Sequence, residues 1–494
     1  MNADLEVATA EAAQILVGSR ASGRTALSEP QAKQVIASVG IRVPRGVFVG
    51  ANAPLDLATV ASLRAPLVAK LVCAEVLHKS DSGGVILGLE GMDAVAGAIA
   101  TIAERHAGLS VDGYLIEEMA AAGVEMVIGG HVDPSFGPAV MVGFGGVFVE
   151  VLNDISMRLC PITRDDAHAM LRSLRGAALL AGARGRPAID TEALVDALMA
   201  VGGAQGLLVR HAETIAYVDI NPLIASPEGC IAVDARILLR SPQTSPAPTV
   251  ASAQEKGDLG QLLAPRSIVV IGASTEGGGL GNTFIRNLKQ FGFSGFLSIV
   301  HPTAAEIDGV PCYPSLGALP GPVDYGYVAL PASRVAASLA AADGKLAFAQ
   351  VVSSGFAEVP GGEALQAQLL QAARQGGVRV VGPNCLGVHS PRARVTFMDN
   401  VVDAPGGFGV VSQSGGLGID LLRRGQARGL RFSSLLTVGN SADVSVVEVL
   451  THLIDDPHTR VIGLYLESVT DARALFDCLR ARLVCASPPK PVVL

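Results

Sequence analysis

The stretch Ser267-Ile-Val-Val-Ile-Gly272-Ala273-Ser274-Thr-Glu-Gly277-Gly-Gly-Leu-Gly281-Asn282 decides the fold class. A short apolar strand runs into a glycine-rich loop, and a helix follows. Backbone N–H groups of such a loop, with the N-terminus of the helix, can cradle a pyrophosphate. As a dinucleotide fingerprint the segment is imperfect, because Ser274 stands where the second glycine of Gly-x-Gly-x-x-Gly belongs. The next strand ends Ile299-Val300-His301-Pro302, without the Asp or Glu that would bond the ribose of NAD. An NAD-dependent oxidoreductase is therefore disfavoured. The block binds an adenine nucleotide of another kind, or the loop is only a tight turn in a parallel sheet; this segment alone leaves both open.

Outward from this loop, strand and helix alternate over 259–391, with strands at 267–271, 296–300, 325–330, 347–352 and 379–381. Crossovers of this length make a parallel sheet. Residues 405–494 begin the alternation again, with strands at 409–411, 432–438, 461–466 and 491–494. Residues 1–240 mix helices (29–39, 92–106, 165–175, 191–202) with strands (67–72, 113–117, 125–132, 139–144, 215–219). The Pro/Ser/Thr/Ala tract that opens 241–258 has no hydrophobic periodicity and reads as a linker. A tighter break falls at Asp403-Ala-Pro-Gly-Gly407.

Composition narrows the class. A chain of 494 residues holds two to four domains. It is rich in Ala, Gly and Val and lacks Trp, as α/β layers with small residues at helix–sheet contacts require. A formal net charge of -8 argues against nucleic acid and anionic membrane as partners. Seven cysteines without Cys-x-x-Cys spacing read as reduced thiols. The acidic N-terminus does not look like a signal peptide, and the most apolar segment, 139–152, is too short to span a bilayer. A soluble cytoplasmic protein is expected.

Three further segments carry chemistry. Lys70 closes the apolar run Pro66-Leu-Val-Ala-Lys70, from which its ammonium can reach a phosphate as a point charge. Leu77-His78-Lys79-Ser80-Asp81-Ser82-Gly83-Gly84 then sets a histidine, which can accept a phosphoryl group, before a glycine pair. A solvated surface loop is the plain alternative. Asp219-Ile-Asn221-Pro222 and Val233-Asp234-Ala-Arg236 put hard oxygen ligands at two neighbouring strand ends, as Mg²⁺ on nucleotide phosphates prefers. Glu117 and Glu118 close another strand and could bond an adenine or ribose. Ser412-Gln-Ser414-Gly415-Gly-Leu-Gly418 repeats the strand–loop–helix device and offers a cup for one phosphate, or an ordinary helix cap by Ser412 or Ser414.

Together these segments resemble the NDP-forming acyl-CoA synthetases, the superfamily of ADP-forming acetyl-CoA synthetase and succinyl-CoA synthetase. Residues 66–85, 123–161 and 219–223 look like its ATP-grasp domain. Residues 262–391, with Ile271 to Ser274 and Gly382-Pro-Asn384-Cys-Leu-Gly387, look like its Rossmann-like CoA-binding domain. Ser412 to Gly415, Gly439-Asn440 and Tyr465-Leu-Glu467 look like its flavodoxin-like ligase domain. The resemblance implies domains at 1–240, 259–391 and 405–494. It also implies reversible conversion of acyl-CoA, ADP and phosphate to acid, CoA and ATP through phosphohistidines.

By the same resemblance His78 is the phosphohistidine near the nucleotide. Lys70, Glu117, Glu118 and Glu125 bind ATP or ADP, and Asn221 and Asp234 bind Mg²⁺. Gly272, Ala273, Ser274 and Asn384 bind coenzyme A. Ser412, Ser414 and Gly415 cap the phosphate, and Glu467 orients the primary phosphohistidine. A small carboxylic acid and CoA are the expected partners, and a homo-oligomer the expected assembly. One departure stands out: the chain reaches Leu494 before the Ser-His-Thr-Gly loop that bears the family's primary phosphohistidine. The expectation is a C-terminally incomplete ligase domain, inactive alone in net synthesis. Arg236 also stands where relatives commonly carry Lys. The alternative is a synthetase-like regulatory module of a protein acetyltransferase, which intact Lys70, His78, Asn221 and Asp234 disfavour.

Overall fold

The computed structural model describes residues 2–53, 60–73, 82–146, 154–182, 187–241, 257–485 and 490–494. The chain forms two compact units, 1–249 and 250–494.

The first unit is built on two antiparallel sheets. The smaller contains β1 (Gly46–Gly50), β2 (Leu67–Val72), β3 (Val85–Leu89) and β4 (Gly113–Glu118), in the order β1-β4-β2-β3. Leu67, Ala69, Leu71 and Ile116 make its core with Val95 and Ile102 of the helix Gly91–Arg105. The larger contains β5 (Val124–Asp133), β6 (Gly137–Phe144), β7 (Ile155–Leu159), β8 (Ile215–Ser226), β9 (Gly229–Ala232) and β10 (Arg236–Leu239). Its order is β10-β8-β5-β6-β7, with β9 paired to β8. The helices Arg164–Ser173 and Thr191–Gly202 supply Met170, Leu194 and Leu198 to the core beneath it.

The helix Glu29–Ser38 shows how the sequence sets its own start. Ser28 and Gln31 form a capping box, the Ser28 N–H donating to Gln31 Oε1 at 3.1 Å. Its buried face runs through Glu29, Ala32, Lys33 and Ile36, a spacing of i, i+3, i+4 and i+7. Two of these four positions are charged, and both serve the site described below.

In the second unit, β11 (Ser267–Ile271), β12 (Phe296–Val300), β14 (Val310–Tyr313), β15 (Val323–Val328), β16 (Leu346–Val351) and β17 (Arg379–Val381) are all parallel. Their order is β14-β12-β11-β15-β16-β17, with β13 (Glu306–Ile307) antiparallel at the edge. Numbered within the sheet this is 3-2-1-4-5-6, the doubly wound order, and the reversal between β11 and β15 opens a crevice at the strand C-termini. A second sheet follows the order β18-β20-β19-β21-β22, from β18 (Val388–His389), β19 (Phe408–Ser412), β20 (Phe432–Thr437), β21 (Val461–Tyr465) and β22 (Val492–Val493). Its parallel strands run 2-1-3-4, as in a flavodoxin-like sheet.

The α/β class and most elements agree with the sequence to within one or two residues. One difference matters. The strand expected to end at Asp219 continues to Ser226, so Asn221 lies inside β8. β2 spans Leu67–Val72 as expected, with Lys70 inside it. One core cluster also runs through both sheets of the second unit, from Ile268 and Tyr325 to Leu436, Leu450 and Leu475. Gln350 joins them: it accepts from Tyr325 Oη at 2.7 Å and donates to Thr437 O at 3.3 Å. Thr437 Oγ1 in turn accepts from the Leu386 and Gly387 N–H groups, each at 2.9 Å. Among the described residues no helix is long and apolar enough to cross a membrane.

His389, in β18, is fully buried between Phe291 and Phe432. Its Nδ1 lies 3.2 Å from Thr396 Oγ1, and Nε2 has no hydrogen-bond partner. Burial pushes its pKa down from 6.5 to about 4. The unfolded chain binds this proton below pH 6.5 and the folded chain only near 4, so stability falls as pH drops through that window. The expected contribution is about 3 kcal/mol. Urea titrations of wild type and His389→Leu between pH 7 and pH 4.5 check this: the variant loses less stability on acidification, and parallel curves refute the assignment.

Candidate functional site

In the first unit, four buried charges meet. Lys70 Nζ lies 3.0 Å from Glu29 Oε1 and 2.9 Å from Glu117 Oε2, and donates to Val233 O at 2.6 Å. Lys33 Nζ lies 3.0 Å from Glu29 Oε1 and 2.6 Å from each Glu117 carboxylate oxygen. Sheet geometry explains half of this. Glu117 pairs with Val68 across β4 and β2, so it shares a face with Lys70 two residues on. The helix Glu29–Ser38 supplies the rest. Burial opposes the Lys70 ammonium, but Glu29, Glu117 and Asp234 outweigh it and raise its pKa. Burial, with the Lys70 charge, draws Lys33 down.

Asp219, Asn221 and Asp234 gather beside this cluster. Asn221 N donates to Asp234 O at 3.3 Å, and Asp219 stands opposite Arg236 in register. Asp219 and Asn221 lie two apart on β8, where the pairing with β5 is irregular. Burial and the Asp234 charge push Asp219 up to about 6. Two neighbouring carboxylates, one of which holds up the proton affinity of the other, fit a divalent cation together with an amide oxygen. Among the described residues no group of three or more His, Cys, Asp or Glu could hold a metal. A cation here would complete its shell from phosphate or water, the usual habit of Mg²⁺.

Of the other nucleotide positions, Glu118 accepts from Arg64 N at 3.0 Å and faces Arg45. Glu125 is exposed, and its main chain holds the Gly145 N–H at 2.7 Å, beside the Gly145-Gly146 turn. His78 lies outside the described residues. The segment carrying it leaves β2 and returns in β3, where Val85 pairs with Lys70.

In the second unit the glycine-rich loop leaves β11 at the switch point. Gly272 has φ +101°, and a Cβ there would lie 2.4 Å from Ala329 O. Only glycine lets the loop pass so close to the end of β15. Ala273 is buried. Ser274 N donates to Asn282 Oδ1 at 2.8 Å, and Asn282 Nδ2 donates to Ser274 O at 2.9 Å. The serine at the second glycine position thus closes a brace between the loop and its own helix.

A cleft of about 280 Å³ brings together Asn384, Gln413, Ser414, Gly415 and Glu467. Four of these were expected functional residues, drawn from segments up to 83 positions apart. Asn384 has φ +59° and is held by its N–H to Ser353 O at 3.0 Å. Ser414 is the N-cap of the helix Gly415–Ala427, its Oγ accepting from Leu417 N. Ser412, at the end of β19, instead donates from Oγ to Ser414 O at 2.7 Å. The cup is therefore a helix N-terminus with a buried serine brace behind it.

Sequence reasoning missed Glu29, Lys33 and Gln413. Gln413 Oε1 accepts from the N–H groups of Glu467 (2.6 Å) and Ser468 (2.9 Å), fixing the turn that carries Glu467. Glu29 and Lys33 left a signal, since they are charges at helix positions whose periodicity demands apolar residues. Gln413 left none beyond its place between two expected residues.

Three family models match in chain order: an ATP-grasp domain over 18–239, a CoA binding domain over 266–391, and a succinyl-CoA ligase like flavodoxin domain over 405–494. Acetate–CoA ligase (ADP-forming) II of Archaeoglobus fulgidus is 34% identical over 479 residues, 95% of this chain and 67% of that protein. The beta subunit of acetate–CoA ligase (ADP-forming) I of Pyrococcus furiosus is 38% identical over 234 residues, 47% of this chain and 98% of that protein. A solved structure of acetyl-coenzyme A synthetase 1 from Ca. Korarchaeum cryptofilum, in complex with coenzyme A, Ca-AMPCP and HgCl+, is 38% identical. It covers 46% of this chain and 99% of that one, with a TM-score of 0.44.

Replacing Gly272 by Ala forces a Cβ onto the Ala329 carbonyl in a backbone region that L-residues avoid. The expected cost is about 2 kcal/mol or more. It is read as a lower urea midpoint at unchanged slope, and an unchanged midpoint refutes the close-approach argument.

Proposed function

The chain belongs to the family of ADP-forming acyl-CoA ligases, and from that footing we propose that it takes part in the interconversion of acyl-CoA, ADP and phosphate with a free acid, CoA and ATP. The observation that carries this reading is the cleft where Asn384, Ser414, Gly415 and Glu467 converge. The family uses ATP or ADP, Mg²⁺ and CoA, and the residues expected for each lie in the segments that the corresponding family models match. These similarities favour a ligase over a regulatory module.

In the proposed chemistry, a phosphate oxygen attacks the acyl carbonyl carbon, the C–S bond breaks, and CoA leaves as its thiol. The acyl phosphate passes its phosphoryl group to the nitrogen of the family's primary phosphohistidine and leaves as a carboxylate; His78 then takes the group as that first P–N bond breaks. Splitting one difficult transfer into several easier ones is the gain of covalent catalysis. The helix N-terminus at Ser414 and Gly415 holds the phosphate oxygens by its N–H groups. Glu467 faces them as a carboxylate that favours a cationic imidazole ring. At the nucleotide end, His78 exchanges the phosphoryl group with ADP: the P–N bond breaks as the P–O bond forms. Lys70 pairs with the phosphate oxygens, and Glu117, Glu118 and Glu125 line the nucleotide's approach. Asn221 and Asp234, with Asp219, would hold Mg²⁺, which when bound neutralises phosphate charge. Gly272 to Ser274 and Asn384 hold CoA.

The reading includes a cytoplasmic setting, consistent with six free cysteines among the described side chains, and an assembly of identical chains. Light scattering of the purified chain tests the latter.

The first test is radiolabelled ATP with Mg²⁺ at neutral pH, followed by gel analysis without acid. The chain takes up acid-labile label, and His78→Ala loses it. Label that survives His78→Ala overturns the role of His78. The second measures CoA binding by calorimetry on the full chain. Asn384→Ala weakens it by about tenfold, the worth of roughly one charge-assisted bond. Undiminished binding overturns the placement of CoA at this cleft.

A further inference from the structure

The buried cluster around Lys70 contains one more cation than a phosphate ligand needs. Lys33 is 4% exposed and sits on the buried face of its helix with Glu29, Ala32, Val35 and Ile36. It reaches both oxygens of Glu117 at 2.6 Å and Glu29 at 3.0 Å. Lys70 reaches the same two carboxylates at 2.9 and 3.0 Å. Each glutamate is thus paired with both lysines.

This sharing has a consequence for any step that takes Lys70 away. If Lys70 alone neutralised Glu29 and Glu117, moving its ammonium to a nucleotide phosphate would strand two buried carboxylates. A buried charge left without its partner is strongly destabilising. With Lys33 already bonded to both, the carboxylates keep a counter-ion while Lys70 leaves. We propose that Lys33 is a positioning residue for the nucleotide site: it is the standing counter-ion of Glu29 and Glu117 and so frees Lys70 to pair with phosphate. This rests on the reading of Lys70 as a phosphate ligand. Lys33 needs no contact with the nucleotide.

The test is calorimetry on the full chain with ADP plus Mg²⁺, and separately with adenosine, which has no phosphate for Lys70 to meet. Lys33→Met should weaken ADP by about tenfold or more while adenosine stays within about twofold, and Lys33→Arg should recover most of the ADP affinity. An equal loss for both ligands means that Lys33 only supports the fold, and overturns the proposal. ADP affinity unchanged in Lys33→Met also overturns it.

Should Lys33→Met fail to fold, Glu29→Gln/Lys33→Met keeps the cluster's net charge but still lacks the standing counter-ion. ADP affinity then stays low. Recovery to the wild-type value in that double variant would show that net charge alone matters, against the proposal. Lys70→Ala separates the two readings. If it leaves ADP affinity unchanged, the role of Lys70 itself is wrong. If it weakens ADP while Lys33→Met does not, only the role of Lys33 falls.

Discussion

Two ammonium groups and two carboxylates share one buried space in the first unit, and the nucleotide side of the proposed site is organised around them. Bringing such ions out of water costs several kcal/mol each, which only close, multiply bonded geometry offsets. That demand fixes β2 against β4, and both against the helix Glu29–Ser38. It also reaches the larger sheet, because Lys70 donates to Val233 O, next to Asp234. The distance between Lys70, the proposed phosphate ligand, and the carboxylates proposed to meet a metal is therefore set by the cluster. A Lys70 held only by packing would have the flexible four-carbon reach of any lysine.

Much of this was legible in the sequence because backbone constraints leave local marks. Gly272 had to be glycine, and a glycine after four apolar residues can be read as a strand ending in a tight loop. Ser414 and Gly415 were picked out by a cap motif, and Asn384 and Glu467 by the family resemblance. Their meeting in one cleft was not legible from those marks, since it depends on how two sheets pack. The charged cluster was half legible. Lys70 and Glu117 stood on recognisable apolar strands, whereas Lys33, a charge on the buried stripe of its helix, was passed over. The length of β8 was misjudged because Asn221-Pro222 reads as a turn, yet the strand only breaks register there and resumes pairing from Leu223 to Ala225.

The second unit shows why the cleft holds its shape. Thr437 receives two backbone N–H groups from the 386–387 turn, and its own carbonyl receives Gln350. Arg379 adds an ion pair to Asp443 at 3.0 Å and another to Glu448 at 3.1 Å. The loops that carry Asn384 after β17 and Ser414 after β19 are thus tied to sheets held by polar bonds that do not slide as apolar contacts can. A site proposed to take a phosphate and a long, flexible ligand gains from such rigidity, because less ordering remains to be done at binding.

The continuous core of residues 257–494 also bears on how such a protein can be inherited. A gene cut within codons 241–258 divides no core cluster, and each product keeps a complete hydrophobic interior. A cut near codon 405 would part Ile268 and Tyr325 from Leu436 and Leu450, exposing apolar surface on both products. Recombination can therefore shuffle the nucleotide half as a separate polypeptide. The other half must travel as one piece, however easily its sequence reads as two.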